Sequence, residues 1–125
     1  MKWPTLGFVF LVALPAIALA QTSKVERQIA GRPDTNIGAE IFTAINDDCT
    51  TGLLPTVRLL TPPAHGNVTM MQASVKATNK CAGGDFPAFA TIYRSTKDFI
   101  GQDDFSLEAK IGSATEIIQF TVTIR

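Results

Sequence analysis

Residues 104–124 read DFSLEAKIGSATEIIQFTVTI, and this stretch indicates the fold class. Apolar and polar residues alternate with period two on both sides of Gly112-Ser113-Ala114-Thr115, which is typical of two strands joined by a short turn. Each strand is expected to bury one face and to expose the other. The two apolar series are Phe105, Leu107, Ala109, Ile111 and Ile118, Phe120, Val122, Ile124. The stretch therefore predicts an antiparallel β-hairpin.

The rest of the chain predicts further short strands separated by glycine and proline turns. The apolar residues between Ile37 and Ile45 have helical spacing, but their β-branched content favours a strand. Residues 25–30 are read either as an additional edge strand or as a loose start. The remaining predicted strands are residues 56–60, 66–70, 73–77 and 89–94. About seven strands indicate an all-β, immunoglobulin-like antiparallel β-sandwich, with a small closed barrel as the alternative.

The first twenty residues have the features of a signal peptide. Lys2 precedes an apolar run, and Ala18-Leu19-Ala20 supplies the small-x-small pattern that signal peptidase recognises. The sequence therefore predicts a signal peptide over residues 1–20 and one domain over residues 21–125. The apolar run is too short for a comfortable membrane span, so we expect a secreted or periplasmic protein with no span after cleavage.

The charge balance argues against several classes of partner. Without Lys2, eleven acidic and ten basic residues remain, a net charge of −1. The basic residues do not cluster, so nucleic acid is a poor candidate partner. No basic amphipathic helix for membrane-surface binding is evident from the sequence.

Cys49 and Cys81 are the only cysteines. An even number in an exported chain favours a structural disulfide. A reactive thiol pair and a pair of metal ligands are the alternatives, although a redox pair usually has Cys-x-x-Cys spacing and structural zinc needs four ligands.

Residues 93–105, YRSTKDFIGQDDF, resemble a signature of bacterial immunoglobulin-like, cadherin-like domains. Residues 63–68, PAHGNV, are similar to the Pro-x-x-Gly-x-Val turn of that family, and residues 120–124 resemble its closing strand. Ser95 and Asp98 replace a proline and a glycine of the family pattern. The chain also resembles small, single-domain exported proteins of Gram-negative bacteria that carry a like cysteine pair. The resemblance implies an immunoglobulin-like fold and leaves the function open.

The residues of this signature also have a physical interpretation as a structural corner. Gly101 is expected to adopt a backbone conformation that other residues avoid, and Asp103 to accept backbone N–H bonds. Phe99 is expected to pack beneath the loop. The motif residues are Tyr93, Phe99, Gly101, Asp103 and Phe105.

Candidate chemistry in the sequence is sparse. His65, the only histidine, lies in a turn, and no Gly-x-Ser-x-Gly nucleophile motif is present. The carboxylate pairs Asp47/Asp48 and Asp103/Asp104 are adjacent in sequence, so on a strand their side chains would point to opposite faces. Asp98, Asp103 and Asp104 are weak candidates for calcium ligands. We expect no other metal, no cofactor and no enzymatic activity.

The sequence therefore predicts a non-enzymatic binding or interaction module of the bacterial cell envelope. Its partner would be a protein or an envelope component, and the sequence leaves the oligomeric state open. The alternatives are a structural accessory domain without a ligand and a small secreted inhibitor of a foreign enzyme. Such an inhibitor would present a rigid loop between Ser95 and Asp104.

Overall fold

The computed structural model describes residues 21–125, which fold into seven strands arranged in two sheets, with no helix in this part of the chain. The predicted signal peptide lies outside the described residues. The strands are β1 (Thr22–Gly31), β2 (Ile37–Thr43), β3 (Thr56–Thr61), β4 (Gly66–Lys76), β5 (Asp85–Ser95), β6 (Gly101–Ile111) and β7 (Ala114–Ile124). The predicted all-β class and the number of strands are confirmed.

The two sheets pack as a β-sandwich. The four-stranded sheet has the order β1-β7-β6-β3, and the three-stranded sheet has the order β2-β5-β4. The prediction of an antiparallel sandwich is wrong for one pair, because β1 runs parallel to β7 from Thr22 beside Thr115 to Gly31 beside Ile124. Parallel neighbours need a long connection, and here the other five strands provide it.

The predicted hairpin of β6 and β7 is confirmed, with eleven residue pairs from Gly101 beside Ile124 to Ile111 beside Ala114. Its loop is only Gly112 and Ser113, shorter than the four-residue turn expected. Gly112 has φ +57°. A type II′ turn requires a positive φ at the first of its two central residues, which glycine adopts without steric cost.

The main core joins the two sheets through three aromatic rings. Phe105 stacks on Phe120 at 4.6 Å between ring centroids, and on Tyr93 of the opposite sheet at 5.7 Å. All three side chains are fully buried. The other buried members of this core are Leu107, Ile118, Val122 and Ile124. Large apolar side chains at alternating positions therefore fill the space between the sheets.

Two sequence-based expectations about the strands are wrong. The predicted strands 66–70 and 73–77 form one strand, β4, which pairs with β5 over eleven residues without a register shift. Met71 and Gln72 offer no glycine, proline, asparagine or aspartate to start a turn. The second error concerns the polar face of β6, which is not fully exposed.

Ser106 and Glu108 of β6 are both buried, and Glu108 is only 8% exposed. β6 lies between β3 and β7, so neighbouring side chains cover it from both sides. The Glu108 carboxylate accepts hydrogen bonds from the Arg58 guanidinium at 2.7 and 3.1 Å, and Lys110 Nζ lies 3.5 Å away. The hydrogen bonds from Arg58 lower the pKa of Glu108 and raise that of Arg58.

The disulfide between Cys49 and Cys81 is confirmed, with 5.4 Å between the Cα atoms. Cys81 belongs to a second, smaller core with Ala77 and Phe86, against which Ile45 and Val75 also pack. The bridge therefore joins the loop after β2 to the loop between β4 and β5. It anchors two long connections that contain little regular structure of their own.

Candidate functional site

The signature region forms a buried hydrogen-bonded corner centred on Asp103. Its Oδ1 accepts hydrogen bonds from the backbone N–H groups of Ala64 at 3.0 Å and Asp104 at 2.9 Å. Its Oδ2 accepts from the backbone N–H of His65 at 3.0 Å and from the Tyr93 hydroxyl at 2.8 Å. Asp103 is 6% exposed. Each carboxylate oxygen thus has two protein donors, which is the full capacity of its lone pairs.

The corner brings together two segments that are distant in sequence, residues 63–68 and residues 93–105. Asp103 lies at the start of β6, whereas Ala64 and His65 lie in the turn between β3 and β4. The carboxylate therefore joins the two turns at the same end of the sandwich. Tyr93 reaches it from β5, and both burial and the neighbouring carboxylate raise the pKa of this phenol.

Phe99 packs against the main core and stacks on His65, with 4.2 Å between ring centroids and 9° between the planes. Two residues near Phe99 have positive φ, Asp98 at +69° in the turn and Gly101 at +141° at the start of β6. Glycine occupies the second because it lacks the Cβ that makes this conformation costly. The only histidine therefore lies on an aromatic ring at the surface of the corner.

A shallow cavity of about 300 Å³ lies beside His65. Its lining residues are Ala64, His65, Gln102, Asp103, Asp104 and Thr121. Catalysis by a triad would require a nucleophile hydrogen-bonded to the imidazole. In residues 21–125 no such bond forms between His65 and a serine or cysteine side chain. Asp103, the buried carboxylate of the cavity, is already occupied by four donors.

The weak calcium candidates are Asp98, Asp103 and Asp104. Asp98 and Asp104 are exposed, whereas Asp103 uses both oxygens within the corner. Across residues 21–125, no three His, Cys, Asp or Glu side chains converge on one point. A calcium ion would have to compete with four hydrogen bonds for the Asp103 oxygens.

The second carboxylate pair lies in the disulfide-bonded loop. Asp48 Oδ1 accepts from the Thr50 hydroxyl at 2.6 Å and from the Thr50 backbone N–H at 3.2 Å. These bonds lower the pKa of Asp48 and stabilise the turn. Asp47 lies 3.4 Å from Lys80 across the loop. Asp47 and Asp48 are therefore occupied in local turn and loop contacts.

A second cavity, which sequence reasoning missed, opens between the sheets at the end of the sandwich opposite the corner. It is a cleft of about 450 Å³. We call it the apolar cleft, because most of the surface that lines it is apolar. Its lining residues are Gln21, Thr22, Ser23, Phe42, Pro55, Ala109, Ile111, Ala114, Thr115 and Glu116.

The apolar cleft exists because the side chains between the sheets become smaller toward the β6–β7 turn. Along β6 the inward series begins with Phe105 and Leu107, continues with Ala109, and ends at half-exposed Ile111. Phe42 contributes an aromatic ring from the opposite sheet. The alanine leaves the space between Phe42 and the four-stranded sheet unfilled, so this end of the sandwich is open to solvent.

Glu116 is the one acidic residue among those that line the apolar cleft. It pairs with Ala109 across the hairpin, in the same alternating series as the buried residues Ile118 and Phe120. Within the described part of the chain, its carboxylate forms no ion pair or side-chain hydrogen bond. A half-buried acidic group beside apolar walls favours a ligand that combines an apolar group with a basic or N–H donor.

The inhibitor alternative depends on the turn between β5 and β6. This turn is short, running from Thr96 to Ile100, and the Phe99 backbone N–H donates to Thr96. Within the segment proposed as a rigid loop, Ser95 to Asp104, Ser95 and Asp103 are buried, whereas Asp104 at its far end is exposed. Ile100 is the large apolar residue that this turn exposes, at 64%.

Comparison of the chain with family models, with curated proteins and with solved structures finds no match. Among residues 21–125 there is no helix that could cross a membrane.

Proposed function

We propose that this chain is an exported, non-enzymatic immunoglobulin-like interaction domain of a bacterial cell envelope, which binds a protein partner in the apolar cleft. The observation that carries the proposal is the cleft itself, about 450 Å³ in volume, with apolar walls and one carboxylate. Ligand pockets commonly have this size and this composition, with a few polar groups that orient the ligand.

The strand connectivity supports the immunoglobulin-like assignment. In constant-type immunoglobulin domains the second, fifth and fourth strands share one sheet, and the third, sixth and seventh share the other. Here β2-β5-β4 and β3-β6-β7 are distributed in the same way. The difference is that β1 pairs with β7 rather than with β2. The fold hosts many activities, so the function is argued from the cleft.

Export is supported by the signal peptide pattern of residues 1–20 and by the disulfide, which is favoured in oxidising compartments. Expression of the full sequence in a Gram-negative host, followed by N-terminal sequencing, tests this point. The expected product begins Gln21-Thr22-Ser23. A product that keeps Met1 and remains in the cytoplasm would contradict export.

The expected partner presents an apolar side chain next to a lysine, an arginine or a chain N-terminus. The apolar group would contact Phe42 and Ile111, and the basic group would pair with Glu116. A charge pair that is partly shielded from water is stronger than one in bulk solvent. The same carboxylate would disfavour an acidic partner.

A pair of photocrosslinking probes tests where the partner binds. A benzophenone amino acid replaces Ala114 at the mouth of the cleft or Ile100 at the other end of the sandwich. β6 alone separates these ends by eleven residues, about 35 Å at the usual rise per residue. Both positions are exposed, so both variants are expected to fold. Crosslinking is carried out in intact cells that export the protein.

Discrete crosslinked species are expected from position 114 and not from position 100. Crosslinking from position 100 alone would support the inhibitor alternative instead. Crosslinking from neither position would support a structural accessory without a ligand.

A charge reversal tests the role of the carboxylate. Glu116→Lys in the probe-114 variant should abolish the crosslinked species, whereas the control Glu26→Lys on the exposed face of β1 should preserve it. Equal crosslinking in both variants would contradict recognition by Glu116.

A further inference from the structure

The sandwich has four edge strands, and three of them carry features that oppose pairing with another strand. β1 carries Lys24, Glu26 and Arg27. β2 carries Glu40 and a register shift, and β3 carries Arg58, a register shift and a following Pro62-Pro63. Charges, bulges and prolines at edges are the usual means by which proteins avoid association of their sheets.

β4 lacks all of these features. Its first ten residues, Gly66–Val75, contain no charge and no proline, and its pairing with β5 shows no register shift. Lys76 is the only charged residue and lies at the end of the strand. β4 is also an outer strand of its sheet, so one row of its backbone N–H and C=O groups faces away from β5. This edge is a template for another strand.

An apolar row leads to this edge across the outer face of the three-stranded sheet. Ile41 of β2 and Met71 of β4 both pair with Ala90 of β5. Ile41 is 59% exposed and Met71 is 49% exposed. An exposed apolar row that ends at an uncharged edge is typical of an interaction surface.

We propose that β4 pairs with β4 of a second copy of this chain, antiparallel and with Met71 opposite Met71. The two three-stranded sheets then form one continuous six-stranded sheet. The arrangement has a two-fold axis, so the same surface serves both copies. This inference is independent of the apolar cleft, which lies between the sheets at one end.

The residue pattern of β4 fits a second copy. With Met71 at the axis, Gly66 lies opposite Lys76, Asn67 opposite Val75 and Thr69 opposite Ala73. Odd-numbered residues meet odd-numbered residues, so paired side chains lie on the same local face of the sheet. In this register, half-buried Ala73 and Val75 lie opposite exposed Thr69 and Asn67. The two Lys76 side chains lie at opposite ends, about 34 Å apart at the usual rise per residue, and no like charges oppose each other.

The self-pairing also extends the apolar row. Ile41, Ala90 and Met71 of one copy continue into Met71, Ala90 and Ile41 of the other, across six strands. Pairing with β1, β2 or β3 of another copy would instead place charged side chains along this edge. The uncharged β4 is therefore its own best partner among the described edges.

Sedimentation and light scattering of the processed, oxidised product of the full sequence test the proposal. A dimer that dissociates on dilution is expected. Met71→Lys places two ammonium groups at the axis and should weaken dimerisation at least tenfold. The control Ile100→Lys changes another exposed apolar residue, in a distant turn, and should leave dimerisation unchanged. A monomer at millimolar concentration, or equal effects of the two substitutions, would overturn the proposal.

A cysteine pair tests the register. Residues directly opposite in an antiparallel pair have Cα atoms about 4.5–5.5 Å apart, within the range that a disulfide spans. Met71→Cys should therefore give an intermolecular disulfide between the two introduced cysteines, identified by peptide mass. Asn67→Cys should give none, because the two copies of residue 67 lie about 27 Å apart in this register. Crosslinking of the second variant and not of the first would refute the proposed axis.

Discussion

The Tyr93 hydroxyl donates a hydrogen bond of 2.8 Å to Oδ2 of Asp103, and both residues are buried. Tyr93 belongs to the three-stranded sheet and Asp103 to the four-stranded sheet, so this bond joins the two layers. The Tyr93 ring also stacks on Phe105. One side chain thus contributes both to the apolar core and to the polar corner at its edge.

Removal of the Asp103 carboxylate should destabilise the domain strongly. Asp103→Ala leaves the buried Tyr93 hydroxyl and the N–H groups of Ala64 and His65 without their acceptor. An unsatisfied buried hydroxyl costs about 1–3 kcal/mol, and the loss of two part-buried backbone hydrogen bonds adds to this, so we expect the free energy of unfolding to fall by about 3 kcal/mol or more. Urea denaturation measures it. The control is Asp104→Ala. Asp104 is exposed, so its replacement should change the free energy of unfolding by less than about 0.5 kcal/mol. Equal effects would contradict the role of the corner.

The phenol of Tyr93 should resist ionisation while the protein is folded. Burial and the Asp103 carboxylate raise its pKa. Its contribution to stability is therefore complete below the unfolded value of about 10 and is lost as the pH rises above it toward the folded value. Tyr93 is the only tyrosine in the sequence, so absorbance at 295 nm reports it alone. Phenolate should appear together with unfolding. A reversible titration near pH 10 in the folded protein would contradict this prediction.

Glu108 should make the protein more stable at neutral than at acidic pH. The Arg58 hydrogen bonds lower the pKa of this carboxyl in the folded state. Its contribution is therefore present above the unfolded pKa and is lost as the pH falls through the folded value. Glu108→Gln should reduce the loss of stability between pH 7 and pH 3 in urea titrations. Glu26→Gln, at an exposed position of β1, should leave this loss of stability unchanged. An unaltered pH dependence in Glu108→Gln would contradict the assignment.

Loss of the disulfide should destabilise the two loops that it joins without unfolding the main core. Replacement of both Cys49 and Cys81 by alanine is expected to lower the free energy of unfolding by about 2–5 kcal/mol. Because Tyr93 lies in the other core, its near-ultraviolet circular dichroism should persist at low temperature. Chemical reduction of the natural protein is the matched control and should give a similar loss. Disappearance of the tyrosine signal in both samples would show that the two cores are not separable.

Calcium should leave thermal stability unchanged. The four donors to Asp103 occupy the oxygens that a cation at this turn would need. Melting curves in excess calcium and in chelator are therefore expected to superimpose. A ligand at about a hundred times its dissociation constant adds about 2.7 kcal/mol, so a rise of several degrees would restore Asp98 and Asp104 as ligand candidates.

The sequence predicted most strands because their signal is local. The hairpin around Gly112 depends on alternation within a few residues and on a turn glycine, and both are visible in the printed sequence. The boundary errors have the same origin. The absence of a turn residue at Met71-Gln72 is a local hint that residues 66–76 form one strand, but the continuous pairing with β5 decides it. The contact of Arg58 with Glu108 depends entirely on the pairing of β3 with β6.

The sites were harder to predict. Asp103 was expected to accept backbone N–H bonds, but two of its donors, Ala64 and His65, lie 39 and 38 residues earlier in the chain. The apolar cleft combines Phe42, Ala109 and Glu116 from three strands, and none of these residues forms a recognisable motif. Only the alternation that places Glu116 in an inward series could have drawn attention to it.

The sequence by itself determined the strand-rich class, the hairpin and the expected pairing of the two cysteines. Periodicity and turn chemistry act between near neighbours, and two cysteines allow only one intramolecular disulfide. The tertiary structure alone decided the parallel pairing of β1 with β7, the open cleft and the uncharged edge at β4. These features depend on which strands become neighbours, and that choice is made by the packing of two sheets rather than by any single segment.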